Sequence, residues 1–575
     1  MLSNQGDRAE RHDRRCDRAG GSRHLTRVER ARDGTLLLRG EPLGAHLPTW
    51  NALLDDAAQR APHRAFVVER DARAVWHELT FADAAERSRR IGAALRALGA
   101  SESRPVMILG TNGIEHALMT FGALRAGIPV APVSPAAAHG GRARLRALAE
   151  VVRPGVVFAY DGAAFGAAAH AVAAEAAFVS VTEPLPGVPA HDYARLLHHR
   201  PLPRDAVAVS GETIAKIMFT ADLADEPKAV VTTHAMLCAM LQGVAQAWPF
   251  LDARPPVIVD ALPWSGALGG NLVLGIALRG AGTLYVDDGG AAEGFARRQS
   301  LRAELQPTLA FDVPRGWSAW ALRLRADDEL RQRWLARLDL ACWSGAPLAP
   351  AARDALRAIG VPLAAAWGMT ETSGPVALTI GAEPKYDALG APLAGVELKL
   401  VPHGDAYEAR VRGPQVTHAY YWRPDRTAAA FDEESFFRTG DLVRPIDARK
   451  PARGLELLAR TDGRFKLSSG AWVHRAALRA TFLAECSDAA DVLVTGEGRD
   501  EIGLLVCPSE DALRLDRDVL RAQIAGAMRR IARDDGVSDN PSRALIVRAL
   551  IVREPPAALV ARLHASEPDA EVIVV

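Results

Sequence analysis

From about Ala65 to Asp161, short apolar runs alternate with amphipathic stretches along the chain. Ala65 to Val68, Pro105 to Leu109, Pro129 to Val133 and Gly155 to Ala159 have the length and apolar continuity of buried strands. The intervals carry helical periodicity: Ile91, Ala94, Leu95 and Leu98 stand at i, i+3, i+4 and i+7, and Gly99 follows, suited to the left-handed backbone that ends many helices. The alanine-rich stretch Ala163 to Ala177 reads as helix with small side chains. Alternation of strand and helix continues to roughly residue 440, which predicts an α/β fold with sheets covered on both faces by helices.

After Asp441 the pattern shifts. Leu455 to Leu458, Asp491 to Val494 and Ile502 to Val506 predict short strands, and helices are expected at about 476–485 and 516–533, together a smaller mobile α+β domain. The expected organisation is a tail over 1–25, a large N-terminal domain over 26–460 and a small C-terminal cap over 461–575 with an atypical end. Arg460-Thr-Asp-Gly-Arg464, rich in Gly and charge, is the expected flexible joint.

Length and charge narrow the function. A chain of 575 residues buries at least one large core, and 69 basic against 69 acidic residues give zero net charge. No global field would hold it on nucleic acid or an anionic surface, so small molecules are the expected partners. Five scattered cysteines form no Cys-x-x-Cys pair, which fits reduced thiols in a cytoplasm. The best apolar run, Leu272 to Leu278, stops at Arg279 and is too short to span a bilayer. Residues 1–25 mix Arg with acids and lack a signal-peptide core, so they read as a disordered tail or an early start codon. Only six of the basic residues are lysines: Lys216, Lys228, Lys385, Lys399, Lys450 and Lys466.

Three segments carry candidate chemistry. Ile214 to Phe219 reads as a strand, and Thr220 to His234, with Lys228 inside it, as a loop entering a helix, where free N–H groups and the helix dipole favour phosphate. Ala366-Trp-Gly-Met-Thr-Glu-Thr372 offers a backbone turn at Gly368, a hydroxyl at Thr370 and a carboxylate at Glu371 suited to Mg²⁺ beside phosphate. Phe437-Arg-Thr-Gly-Asp441 places an acid on a turn, where a carboxylate accepts both hydroxyls of a ribose. Taken singly, the second reads as well as a helix cap and the third as a surface turn.

In this order the segments resemble the adenylate-forming superfamily of acyl-CoA synthetases, over about Leu25 to Pro556. The resemblance implies that Thr220 and Lys228 act at the phosphate, that Thr370 and Glu371 serve catalysis with Glu371 on the metal, and that Trp367, Gly368, Met369, Asp441 and Arg460 bind the nucleotide. It further implies ATP and AMP, Mg²⁺ and CoA as cofactors and a carboxylic acid as substrate. Gly282-Thr-Leu-Tyr-Val-Asp-Asp-Gly289, Tyr421-Trp-Arg-Pro424 and Phe465-Lys-Leu467 with Gly470-Ala-Trp-Val473 are most similar to bacterial feruloyl-CoA synthases, so a hydroxycinnamic or aromatic acid such as ferulate is the expected substrate by analogy. Such enzymes join acid and ATP into an acyl-adenylate, rotate the small domain, and pass the acyl group to CoA.

The chain departs from that pattern in four places. Positions 220–228 read Thr-Ala-Asp-Leu-Ala-Asp-Glu-Pro-Lys, with Asp222 and Asp225 where the family has glycines. A like-charge pair about 4 Å apart costs roughly 4 kcal/mol at an effective dielectric of about 20, so adenylation is expected to suffer. Ser265 or Gly266 stands where the family has a histidine beside the acid and pantetheine channel, and Gly463 or Arg464 where it has an acidic pivot. No lysine follows Lys466, although the family carries one late in the small domain, and likeness ends after Glu554-Pro-Pro556, as a replaced or frame-shifted tail would. Besides an acid:CoA ligase, the sequence therefore admits a degenerate homologue that binds nucleotide, acyl-adenylate or CoA with little turnover, and a partial enzyme that only transfers a premade acyl group. His234 and His474 read as capping or packing residues, and no Gly-x-Ser-x-Gly elbow or zinc cluster competes.

Overall fold

The computed structural model describes residues 26–71, 73–134, 142–163, 165, 169–170, 173–182, 189–220, 228–286, 301–379, 389–470, 472–509, 512–533, 546–551 and 573–574. Two large sheets dominate. One has seven strands, in the order Ala229–Thr233, Ile214–Phe219, Val130–Val133, Val106–Leu109, Val156–Asp161, Ala177–Thr182 and Ala190–Asp192. Its strands run parallel except for the antiparallel first pair. The other has nine strands: a parallel centre from Leu363–Met369 through Leu340–Ser344, Leu309–Asp312, Val257–Asp260 and Thr283–Val286 to Ala65–Arg70, with antiparallel edges. Helices Phe81–Ala97 and Ile114–Arg125 bury Ile91, Ala94, Leu95, Phe121 and Leu124 between these sheets in one large core. Each strand predicted in this region is present, and Gly99 ends its helix with φ +92°. In the Ala163–Ala177 stretch, read as helix, residues 163, 165, 169 and 170 are helical, whereas 173–176 are not and Ala177 opens a strand; 164, 166–168 and 171–172 lie outside the described residues.

Alternation stops earlier than the sequence implied. Beyond Leu378 the chain adds four strands to Arg27–Arg30 and Leu36–Arg39, making an antiparallel sheet ordered Arg27–Arg30, Leu36–Arg39, Glu397–His403, Ala406–Arg412, Phe437–Pro445 and Leu455–Arg460; among the described residues of this region the only helices are the short Pro424–Ala430 and a 3₁₀ turn. The physical reason is visible in Phe437–Pro445, where Phe437, Thr439, Asp441 and Val443 are buried and the residues between them are not: one face is packed and the other wet. That period of two, with polar Thr and Asp on the inward face, hides from a search for apolar runs.

The C-terminal part has its own core. Phe465, Leu467, Phe482, Val492, Leu504, Ile524 and Ala549 cluster apart from the large core, under helices Arg475–Glu485 and Arg517–Arg533 and a four-stranded sheet. A two-stranded hairpin, Arg464–Lys466 with Trp472–His474, joins it to the rest, and the Arg315 amide donates to the Ser468 carbonyl across the divide at 3.0 Å. Among the described residues no helix is long and apolar enough to cross a membrane, and Cys238, Cys342, Cys486 and Cys507 are free thiols.

Candidate active site

Strand Ile214–Phe219 ends at Thr220, and the chain returns at Lys228 into a second strand, Ala229–Thr233, rather than into a helix. The β-branched run Val230-Val-Thr-Thr233 pairs antiparallel with the first strand, and the Thr220 amide donates to the Lys228 carbonyl at 3.1 Å, closing the loop. The helix begins only at His234, its first turn capped by the Thr233 hydroxyl. A helix N-terminus at the phosphate loop, expected from the sequence, is thus corrected: five residues of strand separate the two. Residues 221–227, with Asp222, Asp225 and Pro227, lie outside the described residues. The Thr220 hydroxyl is buried with no hydrogen-bond partner among the described residues, and Thr220 and Lys228 both line a cavity of about 470 Å³.

On the facing wall, strand Leu363–Met369 runs into a 3₁₀ turn at Thr370–Thr372 and reverses into Gly374–Leu378. Gly368 lies in the strand, at a register shift, and the turn itself falls two residues later. A Cβ on Gly368 would sit 2.1 Å from the Gly374 carbonyl oxygen, so the close crossing of the two strands requires glycine. The Thr372 hydroxyl accepts from the Met369 amide at 2.9 Å and donates to the Gly374 carbonyl at 2.6 Å, and Ser373 takes φ +59°, left-handed for a serine. Thr370 and Glu371 are thereby turned toward the same cavity as Thr220 and Lys228. Glu371 is buried, with one oxygen accepting from the Tyr420 hydroxyl at 2.9 Å. Burial first, and the Glu371 charge second, push the Tyr420 phenol far above its ordinary range, so it stays a donor.

Asp441 stands within strand Phe437–Pro445, 6% exposed, and not on the turn expected of it. Gly440, at φ +72°, bends the strand just before it, and the Thr439 hydroxyl accepts from the Asp441 amide at 3.0 Å. Its two oxygens are shared: Trp367 Nε1 donates to Oδ2 at 2.9 Å and Arg460 Nη1 to Oδ1 at 2.6 Å. Arg460 is no plain surface charge. Burial pulls its pKa down, but Asp441 and Asp462 outweigh that and the net shift is upward. Asp462 also pairs with Arg464 at 2.5 Å, so the expected joint carries an acid between two arginines.

Trp367, Asp441 and Arg460 line a second, smaller cavity of about 170 Å³, closed on its other side by Trp343 and Leu348. The two cavities adjoin. Gly368, Met369, Arg460, Arg464 and Lys466 line both. All nine candidate residues therefore border one continuous cleft. Sequence reasoning gave no role to Lys466, Arg464 or Tyr420. Burial pushes the Lys466 ammonium down to about 8, while the charges of Asp441 and Glu371 pull it back up. The scarcity of lysine was the signal that singles it out.

The donor set fits a nucleotide carrying its own cation. No group of three or more His, Cys, Asp or Glu side chains able to hold a metal occurs among the described residues, so Glu371 would be a lone protein carboxylate, the usual situation when Mg²⁺ arrives on phosphate. The buried Thr220 hydroxyl, without a partner among the described residues, and the cations at the cavity junction suit phosphate oxygens, and the Trp367 and Trp343 flank suits a flat base.

Known proteins resemble this chain in sequence and fold. A long-chain-fatty-acid–[acyl-carrier-protein] ligase of Arabidopsis thaliana is 31% identical over 179 residues, 28% of this chain and 24% of its own length. A 4-coumarate–CoA ligase of Pinus taeda is 26% identical over 381 residues, 62% of this chain and 67% of its own. The chain spans less than half the length of the first curated relatives it matches, 23% to 47% of each. Among solved structures, a malonyl-CoA ligase in a ternary product complex with methylmalonyl-CoA and AMP superposes with a TM-score of 0.62 at 25% identity, covering 87% of this chain and 97% of the other. The model of the AMP-binding enzyme family matches residues 54–421, well over half of the 575, and the chain belongs to that family.

Proposed function

We propose that the protein is an ATP-dependent acid:CoA ligase that forms an acyl-adenylate and then a CoA thioester, with a hydroxycinnamic or other aromatic acid such as ferulate as substrate. One observation carries the reading: the cavity bordered by Trp367 and Asp441 opens directly into the one bordered by Thr220, Lys228, Thr370 and Glu371, with Arg460, Arg464 and Lys466 at the junction. Base and ribose belong in the smaller cavity, the acid in the larger, and the α-phosphate where they meet. In the first step a carboxylate oxygen bonds to the α-phosphorus and the bond to pyrophosphate breaks; in the second the CoA sulfur bonds to the acyl carbon and AMP leaves.

The chain's own groups divide the work. Asp441 accepts from the ribose hydroxyls. Thr220, Lys228 and Thr370 donate to phosphate oxygens; Glu371, oriented by Tyr420, is the residue that would hold Mg²⁺, which would supply charge neutralisation at the phosphates. Lys466 supplies the cation at the α-phosphate that the family draws from a later lysine. The wall from Ser265 to Gly269, which has only small residues or Leu268 and no ionisable group where the family has a histidine, favours a flat apolar acid. The domain boundary near residue 460 and a swing of the small domain belong to the same proposal, supported by the separate C-terminal core. Pyrophosphate exchange across a panel of aryl, fatty and dicarboxylic acids tests it. Exchange that depends on an aryl acid is the expected result; none with any acid, alongside calorimetric binding of AMP, would replace the ligase by a binding protein.

A further inference from the structure

Strand Ile214–Phe219 buries four consecutive residues, and one of them is a lysine: Lys216 is 2% exposed between Ala215 and Ile217. An ammonium stripped of water is costly unless its donors are met. Here they are met by neutral groups. Nζ donates to the Gly270 carbonyl at 2.6 Å and to Asn271 Oδ1 at 3.0 Å, and the face of Trp50 lies 4.4 Å away.

Both acceptors belong to a π-helical turn, Ala267–Val273, whose wide i to i+5 spacing leaves carbonyls displaced from ordinary helical partners. This turn is packed backbone to backbone: a Cβ on Gly270 would lie 2.0 Å from the Trp264 carbonyl oxygen, and one on Gly269 2.4 Å from that of Leu262. Its first residues, Ala267, Leu268 and Gly269, line the larger cavity. Asn271, fully buried, passes the contact on, for its Nδ2 donates at 3.0 Å to the carbonyl of Ser373. Ser373 is the left-handed residue that closes the Thr370–Thr372 turn. One buried cation is therefore tied to the strand that leads to Thr220, to the wall of the larger cavity and to the turn that carries Glu371.

We propose that Lys216 is a positioning residue that holds the π-helical cavity wall in register with the Thr370–Ser373 turn, so that the acid is presented to the nucleotide at the correct distance. The acid and nucleotide in this statement rest on the ligase reading; the mechanical link does not. Lys216 lines neither the smaller nor the larger cavity and acts through Gly270 and Asn271. Its titratable neighbours are His116 and His234, held neutral by burial with pKa values of about 4 and about 3. Burial also brings Lys216 down to about 7, so the tie discharges close to neutral pH.

Hydrogen exchange on peptides covering 262–274 and 370–378 reads the link without turnover. In Lys216→Met, amides of both peptides are expected to exchange about 10-fold faster, with the rest of the large domain unchanged. Raising the pH from about 6 to about 8.5 should loosen both peptides in the wild type, beyond the intrinsic pH effect, and not in Lys216→Met. If an aryl acid supports pyrophosphate exchange, its KM should rise about 10-fold in Lys216→Met while the KM for ATP moves less than about 3-fold. Asn271→Ser, which keeps the lysine, should give the same paired loosening and serves if the methionine variant does not fold. Unchanged protection in both variants, or loosening of the first peptide alone, would overturn the proposal. A wild type inert toward every acid would remove the ligase reading and leave the exchange experiment to decide this one.

Discussion

Trp367 and Asp441 are 74 residues apart, yet the indole Nε1 donates to the carboxylate at 2.9 Å, at the floor of the smaller cavity. The bond joins the nine-stranded sheet to the six-stranded one, because each residue lies in a strand of a different sheet. With Arg460 on the other oxygen, the carboxylate is oriented before any ribose arrives. Asp441→Asn removes the charge, keeps one acceptor for Trp367 and takes one carboxylate partner from Arg460. We expect AMP affinity by calorimetry to fall about 10- to 100-fold and stability in urea to fall by about 1–3 kcal/mol. Unaltered affinity would show that the ribose sits elsewhere.

Tyr420→Phe tests the orientation of Glu371. The variant leaves a buried carboxylate oxygen without its donor, which costs about 1–2 kcal/mol of stability. The Mg²⁺ concentration needed for half-maximal exchange should rise severalfold, with the KM for acid little changed. An unshifted Mg²⁺ titration would separate Glu371 from the metal.

These residues mark the limit of what the sequence disclosed. Thr220, Lys228, Thr370, Glu371, Asp441 and Arg460 are found from motif order, because turns and short polar signatures are local. Tyr420 and Lys216 are not, since their roles depend on partners 49 and 55 residues away that only the tertiary fold brings near. The strand Ala229–Thr233 was missed because a loop ending in a helix and a hairpin followed by a helix share the same polar start; the β-branched run Val230 to Thr233 was the discriminating feature. Of the six-stranded sheet only Leu455 to Leu458 was read as a strand, and it was assigned to the small domain; strands such as Phe437–Pro445 were missed because they alternate.

Lys466 carries a pH signature. Burial holds its ammonium at about 8, below the ordinary 10.5, so between those values the unfolded chain binds the proton and the folded chain does not. By linkage, this group's contribution to stability rises with pH across about 8 to 10.5, and below pH 8 the full cost of burying the charge is present. A phosphate beside Lys466 opposes the shift and draws a proton in. Calorimetry of AMP binding at pH 8.5 in two buffers of different ionisation enthalpy should report proton uptake, and affinity should decline above about pH 8. Lys466→Met is expected to abolish the uptake, to cut exchange about 100-fold and to cost no stability. Equal uptake in the variant would assign the proton to another group.

The phosphate loop gives the last test, and the one that bears on catalytic power. Asp222 and Asp225 stand in the sequence between Thr220 and Lys228, whose backbone groups hydrogen-bond to each other, and a polyphosphate held by those two residues is expected to meet both carboxylates. Each unit charge at about 4 Å costs roughly 4 kcal/mol at an effective dielectric of about 20, and solvent at the loop reduces that figure. Replacing both with glycine removes the repulsion and restores the freedom to point successive N–H groups inward. Asp222→Gly with Asp225→Gly should lower the KM for ATP at least about 10-fold and raise exchange, with a weaker salt dependence than in the native protein. AMP, which lacks the β- and γ-phosphates, should bind both forms alike, and this contrast separates repulsion at the loop from a general improvement in folding. If ATP gains no more than AMP does, the two aspartates point away from the nucleotide and the slow step lies elsewhere.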